Sequence, residues 1–169
     1  MKRLLLLALF IAASALASPD ALRGEVPDLR QWGSGEMSWF GLSLYRATLW
    51  VAGESPESSM SALQLDYRRD IARERLVQTS LDEMRRLGAD AAQLKAWEGE
   101  LQRVFPDVKE GETIVGVHYP GRGARFFHQG QATGDIGDAE FARRFFAIWL
   151  DPASRSPGLR AALLKRPGA

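Results

Sequence analysis

Apolar and polar positions alternate along some stretches of the chain with a period of two and along others with a period near 3.6, which separates strands from helices. Residues 113–118 and 123–128 read as the arms of a hairpin across Tyr119-Pro120-Gly121-Arg122. Pro120-Gly121 suits a type II turn, because proline sets its own φ and glycine accepts a positive one. Leu63, Leu65 and Tyr67 alternate with Gln64, Asp66 and Arg68, the signature of a half-buried strand. From 35 to 51 both parities are apolar: Met37, Trp39, Tyr45, Ala47 and Leu49 on one, Phe40, Leu42, Leu44 and Trp50 on the other. That pattern predicts one or two strands in the middle of a sheet, with Gly41 at a bulge or bend. Residues 18–31 are polar and carry Pro19, Gly24 and Pro27, so they are either irregular or hold a first edge strand around Leu22–Val26.

Helical spacing takes over twice between the strands and twice after them. In residues 71–87, Val77, Leu81 and Met84 recur at i, i+4 and i+7. Gly88 is placed to end that helix and Asp90 to cap the next. Ser80-Leu81-Asp82-Glu83 is an alternative capping box that would split the first helix. Leu94, Trp97, Leu101, Val104 and Phe105 form the cleanest stripe of the second helix. Residues 105–111 turn the chain into the hairpin. After the hairpin a polar loop leads to Asp138, which caps a helix over 139–150 with Phe141, Phe145 and Ile148 inward and Arg143 and Arg144 outward. Ser156-Pro157 starts a short final helix to Leu164 by the N-cap and N1 preferences of serine and proline.

The head of the chain reads differently from the rest. Met1-Lys2-Arg3 is basic, residues 4–13 are an apolar run too short to span a bilayer, and Ala15-Leu16-Ala17 has the small residues a signal peptidase needs. This predicts a cleaved signal over residues 1–17, a single domain over 18–169 and a periplasmic protein. Cleavage would remove two of the 22 basic residues and none of the 21 acidic ones, so the formal charge would go from +1 to −1. A near-neutral exported chain is expected to have no electrostatic footprint for nucleic acid and no basic patch for anionic lipid headgroups, so no nucleic-acid partner is predicted, and no stable membrane insertion is expected after cleavage. Cysteine is absent, which excludes disulfides, thiol chemistry and cysteine metal sites.

Strands, two helices, a hairpin and then further helices make an α+β order, with helices covering one face of an antiparallel sheet. Gly33-x-Gly35, Gly41-x-x-x-Tyr45-x-Ala47-x-Leu49-Trp50, Phe105-Pro106-Asp107-Val108-Lys109-x-Gly111, Tyr119-x-Gly121, Gly134-x-Ile136 and the segment 139–150 occur in that order. Together they resemble the bacterial exported chalcone isomerase-like proteins over roughly residues 30–165. The resemblance implies an open-faced β-sandwich with an apolar cleft between sheet and helices, and chemistry without a cofactor. In the plant enzymes that cleft closes a flavanone ring. In relatives without isomerase activity it binds fatty acids, with an arginine and a tyrosine on the carboxylate. Aligned on the glycines, the family's catalytic arginine falls at Met37, and its carbonyl-polarising threonine falls on or near Tyr45. The family's helical tyrosine and asparagine have no counterpart, since residues 71–87 contain neither. Chalcone cyclisation is therefore not expected, and no catalytic residue is assigned.

The candidate ligand-binding residues are Met37, Trp39, Tyr45 and Tyr67. Tyr45 is either a hydrogen-bond donor to a ligand head group or a packed sheet tyrosine with its hydroxyl at the surface. Tyr67 is core first and cleft second. Arg46, beside Tyr45 on a strand, should point to the opposite face, and it and Arg68 read as solvated or paired charges. His118 and His128 lack the further ligands a metal needs and read as ordinary surface or cleft histidines, so no metal and no cofactor is assigned. Gly121-Arg122-Gly123 precedes a strand, which excludes a phosphate loop, and the serines lack a nucleophile-elbow context. Three functions remain open on this reading: a non-catalytic carrier of a small apolar or amphipathic, fatty-acid-like ligand; a divergent cofactor-independent isomerase or lyase; and an accessory envelope protein whose cleft is filled by its own side chains. No protein partner is predicted.

Overall fold

The computed structural model describes Leu22 and residues 24–165, so the predicted signal segment lies outside the described residues. Six strands form one sheet in sequence order: β1 (Arg30–Trp39), β2 (Leu42–Val51), β3 (Ser61–Tyr67), β4 (Thr113–Tyr119), β5 (Gly123–His128) and β6 (Gln131–Ile136). Every neighbouring pair is antiparallel. Helices α1 (Arg73–Arg86) and α2 (Ala91–Val104) follow β3, and α3 (Ala139–Leu150) and α4 (Pro157–Leu164) follow β6. This is the α+β, open-faced sandwich with helices on one face that the sequence order predicts.

Period-two patterning decides which side of the sheet each residue serves. Ala47, Leu49, Leu63, Leu65, Tyr67, Ile114 and Phe126 join the helix stripes Val77, Leu81, Met84, Trp97, Leu101, Phe141 and Phe145 in the main core. A smaller cluster forms on the other face, where Ala62, Val115, Val117 and Phe127 meet Leu22 and Val26. The Glu25 and Val26 N–H groups donate to the Leu22 carbonyl at 2.9 and 2.8 Å, so the described residues of the leader turn here, and among them the edge strand considered around Leu22–Val26 does not form.

The doubly apolar run at 35–51 resolves into two strands joined by a two-residue turn, Phe40-Gly41. The polar loop expected after the hairpin is instead β6, which has mostly exposed or half-buried residues. With only Ile136 of this edge strand buried, it lacks the burial contrast that makes a period visible. Its one local signal was Gln129-Gly130, a two-residue turn with both φ values positive (49° and 78°). The Pro120-Gly121 turn forms as predicted, with Gly121 at φ 70° and the Arg122 N–H donating to the Tyr119 carbonyl at 3.0 Å.

Asp90 caps α2 in a reciprocal capping box with Gln93, and Asp138 caps α3 through the N–H groups of Glu140 and Phe141. Helix α1 is not split at Ser80, whose hydroxyl donates back to the Leu76 carbonyl at 2.8 Å. It begins at Arg73 rather than at Ile71, because Ile71 forms a β-bridge with Val108. Its N-terminus is capped from a distance: Asp107 accepts from the Arg73 N–H at 2.8 Å. At the other end Arg144 donates to the Leu87 carbonyl and to Glu140, so this arginine is only about one-fifth exposed and does not face outward like Arg143. Ile148 is half-buried, and Phe146 takes a buried place under the sheet that the predicted stripe leaves out.

Helix α4 lies directly on β1. A Cβ at Gly33 would sit 2.3 Å from the Ala162 carbonyl oxygen, and one at Gly35 would sit 2.9 Å from Leu159. The Gly33-x-Gly35 pair is thus the seat of the last helix.

Candidate functional site

Between the sheet and helices α1 and α3 lies a cavity of about 1060 Å³. Its deep walls are Leu63, Leu65, Ile114, Phe126 and Phe145. This space reaches the surface at the end where β1 stops, β2 starts and β3 leaves the sheet. Met37, Trp39, Tyr45 and Tyr67 all line it. Met37, Tyr45 and Tyr67 are consecutive cross-strand partners on β1, β2 and β3. The four residues singled out from sequence therefore meet in one place, and Arg46 points away to Ser34 and Glu36 on the opposite face.

The two tyrosines differ in their bonding. Tyr45 accepts a hydrogen bond from the Trp149 indole N–H at 3.0 Å, and its ring meets that of Tyr67 edge-on at 5.7 Å. Of the two alternatives for Tyr45, the surface-facing hydroxyl is thereby overturned. Its own O–H proton has no acceptor among the described residues, and neither does that of buried Tyr67. Burial pushes the Tyr45 phenol up to about 12, with the Trp149 hydrogen bond opposing that shift. Burial raises Tyr67 further still. Both hydroxyls are therefore neutral at pH 7 and act as donors, not bases.

Met37 is half-buried, and its thioether accepts from the Ser156 hydroxyl at 3.1 Å. The strap that carries Ser156 closes one side of the cavity. Ser154 donates to the Ile148 carbonyl at 2.8 Å, and Arg155 pairs with Glu83 of α1 at 2.7 Å. The rim also holds Arg69, Asp70, Arg75 and Asp82. Asp70 is held by Lys109 and the Glu110 N–H, Asp82 by Arg85, and Glu83 by Arg86 as well as Arg155. Arg69 and Arg75 have no such partner among the described residues. The 105–112 loop positions this rim: the Gly111 N–H donates to the Tyr67 carbonyl at 2.8 Å, and Asp107 fixes the start of α1.

Sequence reasoning did not single out Trp149, Arg69 or Arg75 as site residues. Trp149 sits in an aromatic helix stripe that reads as core, and Arg69 and Arg75 sit among other arginines. The histidines lie elsewhere. His118 stacks on Phe146 with ring centroids 4.9 Å apart, and burial lowers its pKa, while His128 bonds Glu112 at 2.9 Å.

The chalcone isomerase-like family model matches residues 14–165. The chain belongs to the chalcone isomerase-like family. The fold agrees: the crystal structure of a fatty-acid binding protein from Arabidopsis thaliana superposes with a TM-score of 0.63 at 12% identity, covering 82% of this chain and 87% of that one. No curated protein sequence matches the chain significantly. Met37, half-buried in the cavity lining, brings no charge there. The cations of this member stand at the rim instead.

Proposed function

We propose that this chalcone isomerase-like protein is a non-catalytic carrier of an amphipathic carboxylic acid of the fatty-acid type, exported and working in the periplasm. The acyl chain lies along Leu63, Leu65, Ile114, Phe126 and Phe145, and the head group accepts from the Tyr45 and Tyr67 hydroxyls. The observation that carries this reading is the pair of neutral phenols, each with an uncommitted O–H among the described residues, beside the apolar walls of a cavity large enough for a small-molecule ligand. A buried acceptor must find a donor, and these two are preorganised by the β2–β3 register. The uncompensated rim arginines, Arg69 and Arg75, add an attractive field for an anion approaching the mouth.

A cofactor-independent isomerase or lyase would need a base inside the cavity. The phenols, held neutral, do not supply one, and the lining carboxylates Asp70, Asp82 and Glu83 are each engaged in ion pairs. The open cavity also weighs against an accessory protein with a self-filled cleft. Native mass spectrometry of the protein purified from the periplasm, with solvent extraction of whatever co-purifies, tests the proposal. A discrete fatty acid or related acid is the expected result. A ligand-free mass that persists after incubation with fatty acids would overturn it.

A further inference from the structure

The β1–β2 hairpin ends in Trp39-Phe40-Gly41-Leu42, and its three large side chains are the exposed large hydrophobics of the described residues: Trp39 at 51%, Phe40 at 90% and Leu42 at 49%. Trp39 and Phe40 meet edge-on at 5.3 Å, so the tip is a small apolar knob. Phe40 also occupies the first turn position with φ 47°, a left-handed conformation that bulky residues avoid and that asparagine fills readily in such turns. A phenylalanine here is unfavourable for the turn and gains nothing from the core. Its use lies outside the molecule.

The knob adjoins the cavity mouth, since Trp39 belongs to both, and Arg69 and Arg75 stand on the same rim without carboxylate partners. The lining balances Arg69, Arg75 and Arg155 against Asp70, Asp82 and Glu83, but those carboxylates are held in ion pairs with Lys109, Arg85, Arg86 and Arg155, so Arg69 and Arg75 are left to face an outside anion. A protruding four-residue tip is too small to supply the roughly 800 Å² per partner of a stable protein interface. A bilayer has no such requirement: tryptophan and phenylalanine settle at its headgroup boundary, and arginines beside them meet anionic headgroups. We propose that the Trp39–Leu42 tip docks the protein on an anionic lipid surface, with the cavity mouth facing the bilayer. Docking stands on the tip and the rim charges alone. Its service in loading or unloading an acyl chain rests on the carrier reading above.

Flotation of the protein with vesicles of phosphatidylglycerol and phosphatidylcholine, against phosphatidylcholine alone, tests this. The wild type should partition onto the anionic vesicles, and more weakly as salt rises. The double variant Phe40→Asn, Leu42→Ser should lose at least about tenfold in partitioning. It should also fold at least as well, because asparagine favours the turn, and bind a fluorescent fatty acid in vesicle-free solution as the wild type does. A wild type that stays off anionic vesicles, or a double variant that floats equally well, overturns docking. So does a variant whose only change is in self-association by light scattering, which would make the tip a protein contact. If the wild type docks but binds no fatty acid in solution, docking stands and the carrier reading fails.

Discussion

The Trp149 indole N–H donates to the Tyr45 hydroxyl at 3.0 Å, joining helix α3 to strand β2 across the cavity and leaving the phenolic proton to a ligand. Tyr67, its cross-strand neighbour, has no comparable bond. The two hydroxyls therefore separate stability from binding. Tyr45→Phe strands a buried indole N–H and should cost about 1–3 kcal/mol in urea unfolding. Tyr67→Phe should leave the unfolding midpoint nearly unchanged. Both should weaken fatty-acid binding in a fluorescence titration. Equal stability loss in the two variants would contradict the bonding described.

Met37→Arg places a guanidinium on the strand position facing Tyr45, in the same cavity lining as Tyr67. The protein should remain folded and bind a carboxylate more tightly. The added cation favours the phenolate, so Tyr45 should titrate below its value of about 12 in an ultraviolet titration. Gross unfolding of the variant would instead mark Met37 as ordinary core.

The stability of the wild type should fall in alkali. A phenol whose folded pKa is raised stays protonated after the unfolded chain has ionised, so the unfolded state binds fewer protons from about pH 10 upward. Tyr45 contributes this loss between pH 10 and about 12, and Tyr67 adds to it in the same direction. Urea midpoints measured across that range should drop, and Tyr45→Phe should drop less steeply than the wild type.

Gly33→Ala should destabilise by about 1–3 kcal/mol or more, since its Cβ would press on the α4 backbone at 2.3 Å. Gly99→Ala, in the middle of α2 with nothing within 4 Å, should stabilise by about 0.5–1 kcal/mol. Thermal denaturation of the pair would show opposite shifts if α4 sits on β1 as described.

Asp107→Ala removes the distant cap of α1 and should cost about 1 kcal/mol. Hydrogen exchange should locate the loss in the first turn of α1 and in the Ile71–Val108 bridge. An effect spread evenly over the fold would count against a local cap.

What the sequence determined by itself was the part of the structure governed by near neighbours. Helix stripes, the Asp90 and Asp138 caps, the Pro120-Gly121 turn and the alternation in β3 are set within a few residues, where periodicity and φ preferences act. Met37 and Tyr45 were singled out by the family resemblance rather than by periodicity, and the strand register is what sets them beside Tyr67. Tertiary structure decided the rest. Strand β6 buries only Ile136 at its end and so has no period to read, and its pairing with β5 is what makes it a strand. The α1 cap comes from Asp107, 34 residues away, and the Tyr45 hydroxyl is fixed by Trp149, 104 residues away. Such bonds depend on how the helices pack on the sheet, and that same packing leaves the cavity and gathers Arg69 and Arg75 in its lining.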